Sequence, residues 1–301
     1  MSELQVWVDG ALVPASGAYV SVYDRGFRGG EGVFETMRAY GDHAFRLEAH
    51  VERAVAGAAE LGFALDPAVL RRAVVATAAA NLPLVDGADT AVRLTTSAGP
   101  IDPDSLFPGV PEGHPTIVVT SHRLRPPRTA GSRAITVPLA RELPHVKAVS
   151  YLVALTARRR AREEGADEAL LTTGDGRVLE GSSSNVFAVV GGRLVTPPLR
   201  EGLLAGVTRS VVLEVAGRLE LAVEERPLTI TELAGADEAF LTATTREVIP
   251  LTGLDGSAIG PGDPGPLTAA IHAGYRDEVA RERAEGVRDR AERDDGHPDA
   301  P

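Results

Sequence analysis

Three apolar stretches between residues 167 and 198, DEALLTT, GRVLEGSSSNVFAVV and GRLVTPP, are separated only by Gly174-Asp175-Gly176 and Gly191-Gly192. Turns this short join neighbouring strands. The C-terminal part of the chain is therefore built around sheet. The same punctuation appears near the start, where VWVDGALVPA turns at Asp9-Gly10 and GVFETMRAYGDHAFRL turns at Gly41-Asp42. Helical spacing then takes over. Leu47, Val51, Val55, Ala58 and Leu61 share one face, and Asp66-Pro67 caps and opens a second helix through about Asn81. TAVRLTTSA and PTIVVTS read as strands around a Pro/Gly-rich loop. Residues 1–121 are thus expected to form an N-terminal α+β domain, and the Pro/Gly/Arg-rich residues 122–134 an interdomain linker. Residues 135–285 are expected to form a larger C-terminal domain. It holds a helix from Tyr151 to Glu164 stopped by Gly165, a helix opening at Gly206 and Thr208, and a closing helix in GPLTAAIHAGYRDEVARERAEG. Residues 286–301 read as a disordered acidic tail.

Composition narrows the chemistry. The 301 residues carry a formal charge of −11 with scattered cations, which argues against a nucleic-acid or membrane-surface partner. Without cysteine, thiolate metal sites and thiol catalysis are excluded. The histidines at 43, 50, 114, 122, 145, 272 and 297 have no metal-ligand spacing and read as isolated surface or packing residues, so no metal is expected. The start has no secretory pattern, and no apolar run approaches the ~18 residues that span a bilayer. The default is a soluble cytoplasmic protein. Nucleophile-elbow, P-loop and dinucleotide-binding glycine motifs are absent.

Lys147, in LPHVKAVSYL, is the only lysine, against 30 arginines. Arginine stays charged, whereas a lysine amine can lose its proton and act as nucleophile or base, typically as a Schiff base with a carbonyl. By itself Lys147 also reads as a stray surface lysine. A pyridoxal phosphate (PLP) enzyme needs such a lysine, a phosphate anchor, a partner for the pyridine nitrogen and a proton shuttle. Gly206, Val207 and Thr208 at a helix start offer an anion site, with Thr244 and Thr245 at a strand end and Arg53 on a helix as further donors. Glu180 ends an apolar strand before Ser182, Ser183 and Ser184 and suits the ring nitrogen; the displaced lysine can shuttle the proton. Local sequence alone also allows Thr208 as an ordinary N-cap, Arg53 as a solvated helix-face residue and Glu180 as a strand-end surface residue.

Taken in order, YDRGFRGGEGVFETMRAY, FRLEAHVER, KAVSYL, GADEALLTTGDGRVLEGSSSNVF, GGRLVTPP, LLAGVTR and TATTREVIPL resemble the fold-type IV (class IV) PLP enzymes across nearly the whole chain. That family holds branched-chain and D-amino acid aminotransferases, (R)-amine transaminases and 4-amino-4-deoxychorismate lyase. The resemblance implies two domains, a smaller N-terminal α+β domain and a larger β-barrel-like one with flanking helices, in a homodimer. It implies PLP as cofactor, Lys147 as catalytic Schiff-base lysine and Glu180 at the pyridine nitrogen. Arg53, Val207, Thr208, Ala243 and Thr244 would surround the phosphate, and Tyr151 would face the phenolic oxygen. Gly29, Phe34, Thr36, Arg38 and Thr245 would line the substrate pocket. The implied reaction moves an amino group between a branched-chain-like amino acid, or an amine, and a 2-keto acid. Thr36 points instead toward the lyase, which releases pyruvate and p-aminobenzoate; Tyr151, Arg38 and Tyr40 point to the transaminases. A third, non-catalytic PLP-fold binding role is disfavoured by the intact set. The loop GPIDPDSLFPG lacks the Arg and His that trap carboxylate in D-amino acid enzymes. Arg28-Gly29-Gly30-Glu31-Gly32 replaces an aromatic-containing run of the relatives.

Overall fold

A computed structural model describes residues 3–104, 114–124 and 131–295, with side chains through residue 286. The N-terminal sheet contains β1 (Gln5–Val8), β2 (Ala11–Pro14), β3 (Gly32–Tyr40), β4 (His43–Ala44), β5 (Thr90–Ser97) and β6 (Thr116–Arg123). Their order is β2-β1-β6-β5-β3-β4 and every pairing is antiparallel. Helices α2 (Leu47–Glu60) and α3 (Pro67–Asn81) cover one face. Val51, Ala54 and Ala58 from α2 and Leu70, Ala73 and Val74 from α3 meet Trp7, Val33, Met37, Val92 and Leu94 in one core. Asp66 caps α3 by accepting from the Ala68 amide at 2.8 Å. A short helix, α1 (Arg25–Gly29), precedes β3 and was not signalled by apolar spacing; Asp24 caps it, accepting from Gly26 and Phe27.

Alternation along β3 decides what each side chain can reach. Val33, Met37 and Ala39 enter the helix-covered core, and Glu35 shares their face. Phe34, Thr36, Arg38 and Tyr40 point the other way, toward the second sheet.

That sheet comprises β7 (Ser132–Val137), β8 (Glu168–Thr172), β9 (Arg177–Gly181), β10 (Asn185–Val190), β11 (Arg193–Thr196), β12 (Val223–Glu225), β13 (Leu228–Thr229), β14 (Glu238–Ala243), β15 (Glu247–Leu254) and β16 (Ser257–Ala258). The order is β12-β11-β10-β14-β15-β7-β8-β9-β13, with β16 on β15. The hairpins at 174–176 and 191–192 are antiparallel, whereas β7 runs parallel to β8 and β15. The sheet curls into a half-barrel. Helix α6 (Ile230–Ala234) joins its interior core of Leu170, Val178, Val186, Leu241 and Leu251. Outside, α4 (Leu152–Glu163) covers β7 and β8, and α5 (Val207–Arg218) and α7 (Pro266–Asp295) cover β10, β14 and β15.

Some boundaries differ from the sequence expectation. His122 and Arg123 still pair in β6, and Ser132–Ala134 already belong to β7, so strand pairing claims both ends of the expected linker; residues 125–130 lie outside the described residues. The expected tail is helical through Asp295, because Ala, Arg and Glu are good helix formers and α7 is already nucleated; residues 296–301 are outside the described residues. So are 105–113, which include residues 105–109 of the loop expected to lack a carboxylate trap. Pro67–Val85 has the length and mean hydropathy of a membrane-crossing helix despite Arg71 and Arg72, unlike the sequence expectation, but one face of it is in the N-terminal core.

Candidate active site

Lys147 reaches its place by backbone pairing. The edge of β3 that β4 leaves open takes up residues 147–149: the Phe34 amide donates to the Lys147 carbonyl and the Val149 amide to the Gly32 carbonyl, each at 2.9 Å. The segment preceding α4 is thereby tied to the N-terminal sheet. Lys147 Nζ stands 4.7 Å from the centre of the Phe34 ring, which also meets the Arg93 guanidinium at 3.9 Å and packs T-shaped against the Tyr151 ring with centroids 5.2 Å apart. Burial lowers the amine pKa to about 8; Glu35 opposes this, and Arg53 and Arg141 add to it. At pH 7.5 about a quarter of such amines are neutral, against roughly one in a thousand for an ordinary lysine.

Beneath Lys147 lies a buried carboxylate that sequence reasoning missed. Glu35 is fully buried and accepts from Arg53 Nε at 2.7 Å and Arg53 Nη2 at 2.6 Å. His50 Nδ1 adds a third bond at 2.7 Å. Burial favours the neutral acid, but the charge of Arg53 and the bonds from His50 and Arg53 reverse that and hold Glu35 at about 2. Burial lowers the His50 pKa, so the ring is neutral and its Nδ1 must carry the donated proton. The signal was present in the sequence: His50 and Arg53 are three apart on α2 and so share a face. With two edges of its fork on Glu35, Arg53 uses Nη1 to reach the Ala205 carbonyl at 2.6 Å, just before α5.

At that helix start the chain leaves no room for a side chain. A Cβ on Gly206 would sit 1.9 Å from Asn185 Oδ1. The amides of α5's first turn have no intrahelical acceptor and carry the positive end of the dipole. Thr208 Oγ1 and Thr242 Oγ1 are buried beside them without a hydrogen-bond partner, although the Tyr275 phenol lies close to Thr208. Thr242 was not anticipated from the sequence.

Glu180, at the end of β9, is 3% exposed. Its Oε2 accepts from the Leu204 amide at 3.2 Å and its Oε1 is paired with Arg141 Nη2. Burial raises its pKa, with Arg141 the main opposing influence. Tyr151, which precedes α4, donates to the Ser182 carbonyl at 2.8 Å. Behind this turn Glu168 takes bonds from the hydroxyls of Ser182, Ser183 and Ser184 and pairs with Arg246 at 2.8 Å.

Lys147, Arg53, Tyr151, Glu180, Gly206, Thr208 and Thr242 line one cavity of about 330 Å³, with Glu35, His50 and Glu168 behind its wall. Of the residues expected at the site, Lys147, Arg53, Tyr151, Glu180, Val207, Thr208, Ala243, Thr244, Phe34, Thr36 and Thr245 line it together. Two are elsewhere in this chain. Arg38 bonds Asp89 and the Thr245 carbonyl, so it braces the turn from behind. Gly29 is exposed at the end of α1, away from the lining. Arg93, Arg141, Arg158 and Arg246 also face the cavity, and Glu180 is the only carboxylate among the described lining residues. A cleft so charged takes anions.

A desolvated amine, a buried carboxylate and an anion cradle in one cleft are what transamination asks of a protein, and the molecule is an enzyme of the aminotransferase class. Residues 32–254 match the amino-transferase class IV family, and the chain belongs to it. It is 33% identical to a putative branched-chain-amino-acid aminotransferase of Methanocaldococcus jannaschii, over 91% of this chain and 96% of that protein. It is 31% identical to D-alanine aminotransferase of Bacillus licheniformis, over 94% and 100%. The branched-chain aminotransferase of the archaeon Thermoproteus uzoniensis, solved with norvaline, superposes with a TM-score of 0.82 at 33% identity, covering 91% of this chain and 93% of that one. The fold is the expected fold-type IV architecture, and the family depends on PLP. The site fits that group: two orphaned hydroxyls and a helix start suit its phosphate, Glu180 its ring nitrogen and Lys147 its aldehyde.

Proposed function

We propose that this chain is a PLP-dependent transaminase that exchanges an amino group between a branched-chain-like amino acid, or an amine, and a 2-keto acid. The observation that carries the reading is that the chain's only lysine sits desolvated in the cavity that also holds Glu180 and the vacant donors of Thr208 and Thr242. Lys147 would hold the cofactor covalently and, once displaced by the substrate amine, move a proton away from the substrate Cα. Bound PLP would supply an electron-withdrawing ring that makes that Cα–H acidic. Glu180, as a carboxylate, would keep a proton on the ring nitrogen. Tyr151 would face the phenolic edge, and Arg53 with the α5 amides would hold the phosphate. Phe34 supplies an apolar wall, and Arg93, which has no carboxylate partner among the described residues, is available to a substrate carboxylate. The names of the relatives favour transamination over pyruvate elimination. Two copies of the chain would form the working unit.

Purified protein incubated with PLP and borohydride should carry the cofactor on Lys147, and supplying an amino acid with 2-oxoglutarate should yield glutamate. Covalent fixation in Lys147→Ala, or pyruvate and p-aminobenzoate from 4-amino-4-deoxychorismate without any glutamate in the first assay, would overturn the reading.

A further inference from the structure

Arg141 has no part in the reaction as laid out above, yet it touches the residue on which the ring nitrogen depends. It lies in the irregular stretch between β7 and Lys147, and its Nη2 forms an ion pair with Glu180 Oε1. The pair is shielded, with side-chain exposures of 15% and 4%. Arg141 lines the same cavity as Lys147 and Tyr151. Glu180 Oε2 is held by the Leu204 amide. Each oxygen thus has one tether, and each keeps a second lone pair for a donor in the cavity. A buried carboxyl without a cation beside it favours its neutral form, and neutral Glu180 cannot stabilise a protonated ring nitrogen.

Resting on the reading that Lys147 and Glu180 hold PLP, we propose that Arg141 is a positioning residue. It clamps Glu180, as a carboxylate, toward the cofactor's ring nitrogen and sets its positive charge against both Glu180 and Lys147.

The charges around Lys147 give the sign of the effect. Glu35 faces it from β3 and Arg53 from α2; Glu180 faces it from β9 and Arg141 from its own segment. Arg93 of β5 shares the Phe34 ring with it, neutral His50 lies behind Glu35, and the Tyr151 phenol is unionised. Burial is the main influence on the amine, Glu35 opposes it, and Arg53 and then Arg141 reinforce it; Glu180 opposes less strongly than Arg141 reinforces. Losing Arg141 therefore makes the amine harder to deprotonate, even where Glu180 becomes neutral in consequence.

Because Lys147 is the only lysine, its ionisation can be read directly in cofactor-free protein. Labelling with an amine-reactive reagent from pH 6 to 10, followed by peptide mapping, should give a midpoint of about 8 in the native protein. In Arg141→Met the midpoint should rise, and labelling at pH 7.5 should fall about threefold. In Arg141→Lys, whose two lysines the mapping separates, Lys147 should label as in the native protein. The second measurement is a double-mutant cycle on PLP affinity. Arg141→Met should weaken binding about tenfold in the native background and by less than twofold in Glu180→Gln, because the clamp then has nothing to hold. An unchanged Lys147 midpoint together with additive losses of affinity would overturn the proposal while leaving Lys147 as the PLP lysine. Failure of borohydride to fix PLP on Lys147 in the native protein would instead overturn the underlying reading.

Discussion

Replacing Glu35 with Gln tests whether the buried charge under Lys147 is a stabilising element. The carboxylate receives three N–H groups, two from Arg53 and one from His50. A glutamine offers one acceptor oxygen and turns an NH2 group toward donors, leaving Arg53 without its counter-charge. Glu35 is held at about 2 against an ordinary 4.5. That displacement is worth about 3 kcal/mol of folding stability at neutral pH. The folded value lies below the unfolded one, so the stabilisation is complete above pH 4.5 and drains as pH falls toward 2. About 1 kcal/mol should be gone by pH 4 and about 2 kcal/mol by pH 3. The chain supplies its own probe: Trp7, the single tryptophan, is buried in the core that α2 and β3 share. Urea unfolding of the cofactor-free protein, followed by Trp7 fluorescence, should find Glu35→Gln about 3 kcal/mol less stable at pH 7.5. The difference should narrow by about 1 kcal/mol at pH 4, since the variant has no carboxyl to titrate there. A gap below about 1 kcal/mol at pH 7.5, or one that widens on acidification, would refute the reasoning.

The orphaned hydroxyls make a contrasting case. Thr242→Val removes a buried hydroxyl that has no partner in the folded chain, so that cofactor-free protein should be as stable as the native one or slightly more so, whereas Thr208→Val removes a hydroxyl that lies close to the Tyr275 phenol and should be close to neutral. PLP affinity should fall about tenfold for Thr208→Val, the worth of one hydrogen bond to a charged group; equal affinity, measured by absorbance titration, would remove Thr208 from the phosphate cradle. Gly206→Ala should show the opposite balance of causes. Its Cβ would fall 1.9 Å from Asn185 Oδ1, so the turn before α5 must shift, and both stability and PLP affinity should drop in thermal melts and titrations. A fully stable Gly206→Ala protein that binds PLP normally would mean the turn has slack.

What the sequence disclosed and what it hid differ by a physical rule. Lys147, Glu180, Gly206 and Thr208, which the fold brings to one cavity, could be read because each sits next to a local signal: a helix start, a strand end, a turn that tolerates only glycine. The hairpins at 174–176 and 191–192 were legible for the same reason, since a tight turn is decided by its own residues. Arg141 and Arg246 gave no such signal. A charged residue inside a strand or loop is read as solvated unless its partner is known, and their partners lie far along the chain: Arg246 finds Glu168 78 residues away and Arg141 finds Glu180 39 residues away. Gly29 shows the converse error. Gly29 was expected in the pocket wall because an aromatic-containing run of the relatives stands at Arg28–Gly32, yet α1 carries it away from the cavity of its own chain. The parts of the site that bind by backbone and fold are therefore written locally. The parts that set charge are long-range pairs, and those pairs adjust an amine that burial has already made a weaker base: around Lys147 Glu35 opposes the effect of burial, and Arg53 and Arg141 reinforce it.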